Sequence, residues 1–184
     1  MYLVSVYFEE GTNKRIRSYM KQVAEKSGNY VMLDGNVPPH ITISAFETRR
    51  EEEAVRAVEE AAGKLSAGTI TWCGVGTFLP HVIYLAPVLN AYLHRISVEV
   101  YEGLSDMDEV KIRPFYRPFQ WMPHTTIGKM LTEEEMRKAF AVLQGQFGVF
   151  SGRVTAIGLA RTNPYEDIVR VDLAEGNEKD VDGI

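Results

Sequence analysis

Two short stretches decide the fold of this chain: Pro39-His40-Ile41-Thr42-Ile43 and Pro123-His124-Thr125-Thr126-Ile127. Their histidines are 84 positions apart, and the same offset aligns further residues without a gap. The alignment gives 12 identities in the 42 positions from Pro39 to Pro80, where average composition predicts about two or three. The sequence therefore indicates an internal duplication in which each half carries one Pro-His-x-Thr-Ile motif.

Hydrophobic periodicity predicts a strand, helix, strand, helix, strand series in each half. Strands are predicted at Tyr2–Phe8, Tyr30–Leu33, His40–Phe46, Thr69–Phe78, Val82–Leu85, His124–Lys129, Val149–Arg161 and Ile168–Leu173. Helices are predicted at Lys14–Ser27, Arg50–Leu65, Leu89–Tyr101 and Thr132–Phe147. Two pairs have the spacing of capping boxes at helix starts, Thr48 with Glu51 and Thr132 with Glu135. The proline-rich segment Val110–Pro123 is expected to be a loop or an interrupted hairpin.

These elements predict an α+β protein with two lobes related by a pseudo-twofold axis, each an antiparallel sheet backed by helices. No glycine-rich phosphate loop stands between a strand and a helix. A pseudo-twofold axis makes equivalent residues face each other, so the two motif strands are expected to meet in a central cleft. We expect residues 1–174 to form a single bilobal domain and residues 175–184 to be a disordered tail.

Composition excludes several classes of protein. The 184 residues carry 20 Lys and Arg against 25 Asp and Glu, a formal charge of −5, which argues against broad binding of duplex nucleic acid. The chain has neither a long apolar run nor a basic, signal-like start, so we expect no membrane association. The lone cysteine, Cys73, is expected to pack as a small hydrophobe. A cytoplasmic monomer is the expectation.

The motifs place chemically useful side chains together. Alternate residues of a strand share a face, so His40 projects with Thr42, and His124 with Thr126. Because histidine titrates near neutral pH, one imidazole can act as a base while the other acts as an acid. Two hydroxyls suit the nonbridging oxygens of a phosphate. This set of groups suits metal-free phosphoryl transfer.

A metal centre is not expected at this site. Metal sites generally need three or more converging ligands, and the two motifs supply only two imidazoles. The glutamates Glu51–Glu53 and Glu133–Glu135 lie at predicted helix starts and are interpreted as partners of the helix dipoles. The sequence therefore predicts no metal and no other cofactor.

The segments His40-Ile41-Thr42-Ile43 and His124-Thr125-Thr126-Ile127 resemble the paired H-x-T/S-x motifs of the 2H phosphoesterase superfamily, which includes 2′-5′ RNA ligase-like proteins and cyclic phosphodiesterases. The resemblance covers residues 1–174. It implies a bilobal α+β fold with the active site in a central cleft. It also implies cleavage or formation of 2′-linked phosphodiesters, on 2′,3′-cyclic phosphates or RNA ends, without a metal.

The resemblance assigns roles residue by residue. His40 and His124 match the family's catalytic histidines, and Thr42 and Thr126 match its phosphate-binding hydroxyls. Analogy makes His124 the base and His40 the acid, an assignment that the residue pattern itself leaves open. Lys129 stands where ligase-like members often have an arginine, so it keeps the charge but loses the bidentate fork. The chain departs from the family after the first motif, where it reads Ser44-Ala45-Phe46-Glu47 instead of Phe-Leu-Gly.

The segment that leads into the second motif interleaves basic and aromatic side chains, a pattern that suits contact with phosphates and bases. An irregular segment whose aromatic rings plug one end of the cleft explains the same composition, and both interpretations stay open. Its possible substrate contacts are Arg113, Tyr116, Arg117 and Trp121. His81 is a further candidate, because it follows Pro80 where the repeat has Tyr165. His94 is interpreted as a solvated surface residue.

The resulting hypothesis is a metal-independent phosphodiesterase that acts on 2′,3′-cyclic phosphates or 2′-5′ linked nucleotides or RNA ends. Its partner would be a small nucleotide or an RNA-end phosphodiester. The alternative is a noncatalytic module that binds RNA ends or nucleotides in the same fold. A third interpretation, in which the repeat is purely architectural, predicts a cleft without affinity for phosphate.

Overall fold

The fold is an antiparallel sheet with helices packed against it. The computed structural model describes residues 1–162 and 164–176. The strands are β1 (Tyr2–Phe8), β2 (His40–Glu47), β3 (Gly68–Phe78), β4 (Val82–Pro87), β5 (Lys111–Ile112), β6 (Thr125–Gly128), β7 (Phe150–Arg161) and β8 (Glu166–Asp172). The helices are α1 (Glu10–Ser27), α2 (Val31–Asp34), α3 (Glu51–Lys64), α4 (Ala91–Ser105) and α5 (Glu133–Gln146). The predicted α+β class, with antiparallel strands backed by helices, is confirmed.

The strand order is symmetric about the centre of the sheet. The strands run β5-β2-β1-β7-β3-β4-β6, and β8 pairs with the C-terminal part of β7. From the centre outwards β7 matches β3, β1 matches β4 and β2 matches β6. Each half of the chain therefore places its third strand beside the first strand of the other half. The sequence did not predict this exchange, which joins the two lobes through one sheet.

The pairing of the two central strands, β3 and β7, follows the 84-residue offset of the repeat. Thr69 of β3 pairs with Arg153 of β7, and these two residues are equivalent positions of the repeat. On either side, Ile70 pairs with Gly152 and Gly68 pairs with Val154, and the offset converts one pair into the other. The pseudo-twofold axis of the strand pairing therefore passes through the Thr69–Arg153 pair.

Helices α1, α3, α4 and α5 each bury an apolar face, and they pair between the two halves of the chain as the strands do. In α1 the residues Ile16, Tyr19, Met20 and Val23 are buried, a spacing that places them on one face. The helix ends at Gly28, whose φ of 82° is left-handed and whose N–H bonds to the carbonyl of Ala24. Helix α1 packs against α5 and α3 packs against α4, so each helix pair combines the two halves.

The prediction of a strand at Tyr30–Leu33 is wrong. Residues Val31–Asp34 form the single-turn helix α2 instead. The Oδ1 atom of Asn29 accepts from the N–H of Val31, and the N–H of Asp34 bonds to the carbonyl of Tyr30. Four apolar residues are too few for periodicity to separate a strand from a helical turn.

The two predicted capping boxes have different outcomes. Thr132 and Glu135 form the reciprocal box at the start of α5. Thr48 instead accepts from the N–H of Arg50, which is itself the N-cap of α3. The carboxylate of Glu51 pairs with Arg161, so the first box is replaced by a contact with β7.

Three further observations concern the chain as a whole. Cys73 is exposed rather than packed in the core, which corrects the expectation from the sequence. In the predicted tail, Glu175 pairs with Arg153, while residues 177–184 lie outside the described residues. Within the described ranges, no helix is long and apolar enough to cross a membrane.

Candidate active site

The two motif histidines are brought together by the curvature of the sheet. His40 begins β2, and His124 immediately precedes β6. Strands β2 and β6 are not hydrogen-bonded neighbours, yet their Cα atoms approach within 8 Å. The sheet is therefore curved enough to bring the two motif strands close together. The charge of His124 acts on His40 across this junction.

Both imidazoles are held by the same backbone contact. The Nδ1 atom of His40 lies 2.8 Å from the carbonyl oxygen of Pro38, and Nδ1 of His124 lies 2.9 Å from that of Met122. A carbonyl oxygen can only accept, so Nδ1 donates the hydrogen in each ring. The Nε2 atom of each neutral imidazole therefore keeps its lone pair.

Both motif strands also contain a β-bulge at the equivalent residue. Beside β1, Ile43 is the extra residue between the pairs Ser5–Thr42 and Val4–Ser44. Beside β4, Ile127 is the extra residue between Tyr84–Thr126 and Ile83–Gly128. A bulge shifts the alternation of side chains by one position. It therefore allows a residue at an odd spacing from the motif histidine to face the cleft.

Lys129 benefits from this shift. It is five residues beyond His124, so regular alternation would place it on the opposite face of the strand. The bulge at Ile127 restores it to the cleft side, where its charge acts on His40. Lys129 is half-buried. The first motif has no counterpart, because the equivalent position is the buried Ala45.

The ring of His124 is enclosed by aromatic side chains. Its centroid lies 4.9 Å from that of Phe78 in an edge-to-face arrangement and 5.4 Å from that of Tyr84. The Tyr84 ring occupies the space above Gly76, where an added Cβ would come within 2.4 Å of the ring. A glycine on β3 therefore permits the aromatic wall beside His124.

The ring of His40 has polar and charged neighbours instead. The Tyr7 ring lies 6.3 Å from it, and the Tyr7 and Tyr165 hydroxyls are 3.3 Å apart. Tyr165 donates to Oδ1 of Asp167 at 2.6 Å, and Arg170 donates to Oδ2 at 2.8 Å. The Arg170 guanidinium carbon lies 3.7 Å from the centroid of the Tyr7 ring. These residues form a closed network beside His40.

Sequence reasoning did not identify the network of Tyr7, Tyr165, Asp167 and Arg170. The available signal was the break in the repeat at Tyr165, where the first half has His81. Tyr165 and His81 both follow a proline, but hairpin register decides which side chains meet across strands. The sequence pattern alone does not show the register of the hairpins.

Burial lowers the pKa of both imidazoles. For His40 the loss of solvent is the largest cause and its backbone hydrogen bond opposes it. The charges of His124 and Lys129 lower the pKa of His40 further, whereas the charge of Asp167 raises it. For His124, burial lowers the pKa and the backbone hydrogen bond opposes it. Both rings are therefore neutral at neutral pH in the unliganded protein.

Each motif strand accepts a hydrogen bond from a tryptophan indole. The Trp121 indole N–H donates to the carbonyl oxygen of Thr42 at 3.0 Å, and the Trp72 indole N–H donates to Oγ1 of Thr125 at 3.1 Å. Trp121 is 6% exposed, so its ring holds the loop against β2. The predicted contact of Trp121 with the substrate stays a prediction beside this structural role.

The remaining loop candidates differ in their distance from the histidines. Arg113 pairs with Glu47 and its N–H bonds to the carbonyl of Ala45. Ala45 is five residues along β2 from His40, about 17 Å in an extended strand. The predicted contact of Arg113 with the substrate stays a prediction, and at this distance it would concern a part of the substrate remote from the reacting phosphate.

Tyr116 and Arg117 have different surroundings. Tyr116 is half-buried in a 3₁₀ turn, and burial raises its pKa. Arg117 is exposed. Phe115 and Phe119 of the same loop are 79% and 85% exposed. The accessible aromatic faces of this loop are therefore phenylalanines.

The two histidines outside the motifs, His81 and His94, contact other parts of the structure. His81 is exposed in the turn between β3 and β4, and its Nδ1 donates to the carbonyl of Leu131 at 2.8 Å. His94 is half-buried, with its ring 4.4 Å from that of Phe119, so it is not the solvated residue expected. Among residues 1–162 and 164–176, no group of three or more His, Cys, Asp or Glu side chains could hold a metal ion.

Comparison with solved structures identifies similar folds. E. coli LigT complexed with 3′-AMP is 16% identical, with a TM-score of 0.57 over 95% of this chain and 98% of LigT. LigT complexed with phosphate is 16% identical, with a TM-score of 0.53 over 95% and 97%. The protein TT0787 of Thermus thermophilus is 14% identical, with a TM-score of 0.60 over 96% and 99%. At these identities the likeness concerns the fold alone.

Comparison of sequences gives the family. No curated protein matches the chain. The family model described as the 2′-5′ RNA ligase superfamily matches residues 13–166, which include both H-x-T motifs, the bulges and Lys129. With its paired motif strands and its LigT-like fold, this chain belongs to the 2′-5′ RNA ligase superfamily of 2H phosphoesterases.

Proposed function

We propose that this protein is a phosphodiesterase that hydrolyses 2′,3′-cyclic phosphates or 2′-5′ linkages of nucleotides or RNA ends, as a monomer and without a metal cofactor. The observation that carries the proposal is the matched pair of imidazoles. His40 and His124 approach from equivalent strands, and each has Nδ1 bonded to a carbonyl and, among the described residues, no hydrogen bond at Nε2. A binding module has no need of two such titratable groups.

The reaction requires one proton to be removed and one to be supplied. A neutral imidazole takes a proton from water as the water oxygen forms a bond to phosphorus. The bond from phosphorus to a ribose oxygen breaks, and the protonated imidazole gives its proton to that oxygen. A cyclic phosphate thus opens to a phosphomonoester and a free hydroxyl. This step leaves the proton on the ring that acted as the base, and proton exchange with solvent restores the starting state.

The phosphate would be held between the strands. The Thr42 and Thr126 hydroxyls share the faces of His40 and His124 and are suited to the nonbridging oxygens. Lys129 brings a positive charge to the same side. The phosphate and 3′-AMP complexes of LigT, a protein of the same fold, agree with such a role.

The charges around His40 agree with the assignment of acid and base that the resemblance implies. Repulsion between the two imidazoles is mutual, so it does not decide which ring holds a single proton. Of the fixed charges, Asp167 raises the pKa of His40 by more than Lys129 lowers it. We assign His40 as the acid and His124 as the base.

The rest of the substrate would lie along the rim of the cleft. Arg113, Arg117 and His81 are exposed and remain proposed contacts from the sequence, and Tyr116 is proposed to support the loop. Phe115 and Phe119 offer exposed rings for stacking of bases, which is sequence-tolerant.

A substrate panel tests the proposal. Nucleoside 2′,3′-cyclic phosphates, 2′-5′ and 3′-5′ dinucleotides and a non-nucleotide phosphodiester would be assayed with a chelator present. We expect turnover of the cyclic or 2′-5′ compounds, unchanged by the chelator and lost in both His40→Ala and His124→Ala. Binding of 3′-AMP without turnover of any compound would instead support the noncatalytic module. Activity that survives both substitutions would overturn the assignment of the site.

A further inference from the structure

His40 is surrounded by charged groups from several elements, and they do not all act in the same direction. Tyr7 of β1 lies beside it, while His124 and Lys129 approach from the second motif. Both of the latter oppose a positive charge on His40. Asp167 of β8 supplies the opposite charge. Asp167 is therefore the group beside His40 whose charge favours an imidazolium.

The carboxylate of Asp167 is fixed from two sides. Its Oδ1 accepts from the Tyr165 hydroxyl at 2.6 Å, and its Oδ2 accepts from Arg170 at 2.8 Å. Arg170 in turn covers the buried Tyr7 ring at 3.7 Å. Tyr7 is the direct cross-strand neighbour of His40. The network thus ties the carboxylate to the strand pair that carries the histidine.

We propose that Asp167, clamped by Tyr165 and Arg170, is a positioning residue that supplies the counter-charge to the imidazolium form of His40. His124 has no matching carboxylate among its neighbours in the described residues, where Phe78 and Tyr84 enclose it. The two halves of the repeat thus differ in the charge available to stabilise a proton.

The role follows from the reaction cycle and in that respect rests on the proposed function. His40 acquires a proton in every turnover, whichever of the two roles it has. Burial and the nearby charge of Lys129 make that step costly. A fixed carboxylate lowers the cost without itself being protonated, as the aspartate of a serine-protease triad does for its histidine.

The test measures the ring of His40 directly. The chain has four histidines, so their ring resonances can be assigned by NMR with one substitution each. We expect Asp167→Asn to lower the titration midpoint of His40 by about half a pH unit. This is less than the shift from a direct ion pair, because Asp167 is exposed and screened. The midpoint of His124 should change by much less.

Three variants distinguish an effect of the Asp167 charge on His40 from an effect on folding. Asp167→Glu keeps the carboxylate and should restore the midpoint, while Tyr165→Phe removes one clamp and should produce a smaller shift of the same sign. Glu166→Gln is the matched control, because it removes the same charge one residue away, where the carboxylate pairs with Arg161. An unchanged His40 midpoint in folded Asp167→Asn, or an equal shift in Glu166→Gln, would overturn the proposal.

Activity gives a second and independent measurement. In Asp167→Asn the limb of the kcat/KM pH profile that belongs to His40 should move to lower pH, with a two- to fivefold loss of kcat, about what a shift of this size costs an acid–base group. KM should change little, because Asp167 does not contact the phosphate in this proposal. If the wild-type protein turns over no phosphodiester, the proposed function fails, whereas the NMR result still decides whether Asp167 is the counter-charge.

Discussion

The two halves of this protein hold their histidines by the same backbone geometry but surround them differently. Each imidazole bonds through Nδ1 to the carbonyl two residues earlier, and each motif strand has a bulge at the equivalent isoleucine. Around His124 the neighbours are aromatic. Around His40 they are a tyrosine, a lysine and a clamped carboxylate. Duplication accounts for the geometry, and divergence of the neighbours accounts for the difference in charge.

The comparison explains how a nearly symmetric frame can support an asymmetric reaction. Hydrolysis needs one protonated and one neutral imidazole at the same moment. Two interacting rings of identical environment would share one proton equally between them. Asp167, which acts on His40 and has no counterpart acting on His124 among the described residues, removes that equality. Its charge favours the proton on His40, and the smaller opposing effect of Lys129 does not reverse this.

The largest expected effect distinguishes the two histidines by leaving group. On a 2′,3′-cyclic phosphate, His40→Ala and His124→Ala should each lose about 10²–10⁴-fold in kcat. A p-nitrophenyl phosphodiester releases p-nitrophenolate, which departs without a proton. His40→Ala should therefore recover most of its activity on that ester, while His124→Ala should not. Steady-state kinetics of the two variants on both substrates measure this.

The double variant is the control for this experiment. If the two rings act as a unit, His40→Ala combined with His124→Ala should lose little more than either single change on the cyclic phosphate. Recovery of His124→Ala, rather than His40→Ala, on the activated ester would reverse the roles that the resemblance implies.

Much of the site follows from the sequence because it depends on local pattern. Period-two alternation places His40 beside Thr42 and His124 beside Thr126, and the shared offset relates the two strands. The same offset appears in the register of β3 and β7. The α+β class also follows from the alternation of periods, which is a local property of the chain.

The rest depends on contacts between distant segments. The exchange of β3 and β7 between halves, and the meeting of Tyr7 with Tyr165, are decided by the pairing of strands far apart in the sequence. Trp121 is predicted as a substrate contact because the composition of its loop fits a stacking surface, and the structure adds that its indole bonds to the Thr42 carbonyl and is buried. Aromatic residues in a loop indicate either role until burial is known.

The next effect concerns the cation that only the second motif supplies. Lys129→Gln should lower kcat/KM by about 10- to 100-fold, the range for loss of a charge-assisted hydrogen bond to phosphate. Lys129→Arg keeps the charge and should retain most of the activity. Competition by inorganic phosphate measures the same site without turnover. Unchanged phosphate affinity in Lys129→Gln would mean that the threonines hold the phosphate without it.

The pH dependence should be displaced towards acid. Burial lowers the pKa of both rings below the ordinary value, and kcat/KM reports the free enzyme. The state with one proton on the pair is therefore most populated below about pH 6.5, and kcat/KM should fall as pH rises above that value. The kcat profile should lie at higher pH, because a bound phosphate anion raises the pKa of both rings. A kcat/KM profile that stays level to about pH 8 would contradict this.

The smallest effect compares the two indoles that fasten the motif strands. Trp121→Phe and Trp72→Phe each remove one N–H donor while keeping an aromatic ring, and each should cost about 1 kcal/mol of unfolding free energy. Their effects on activity should differ. Trp121 holds the backbone of Thr42 itself, so its loss should raise KM several-fold. Trp72 bonds to Thr125, whose side chain faces away from the cleft, so KM should stay near wild type. Chemical denaturation with kinetics on both variants measures the pair. An equal rise in KM would mean that the indoles act only through general stability.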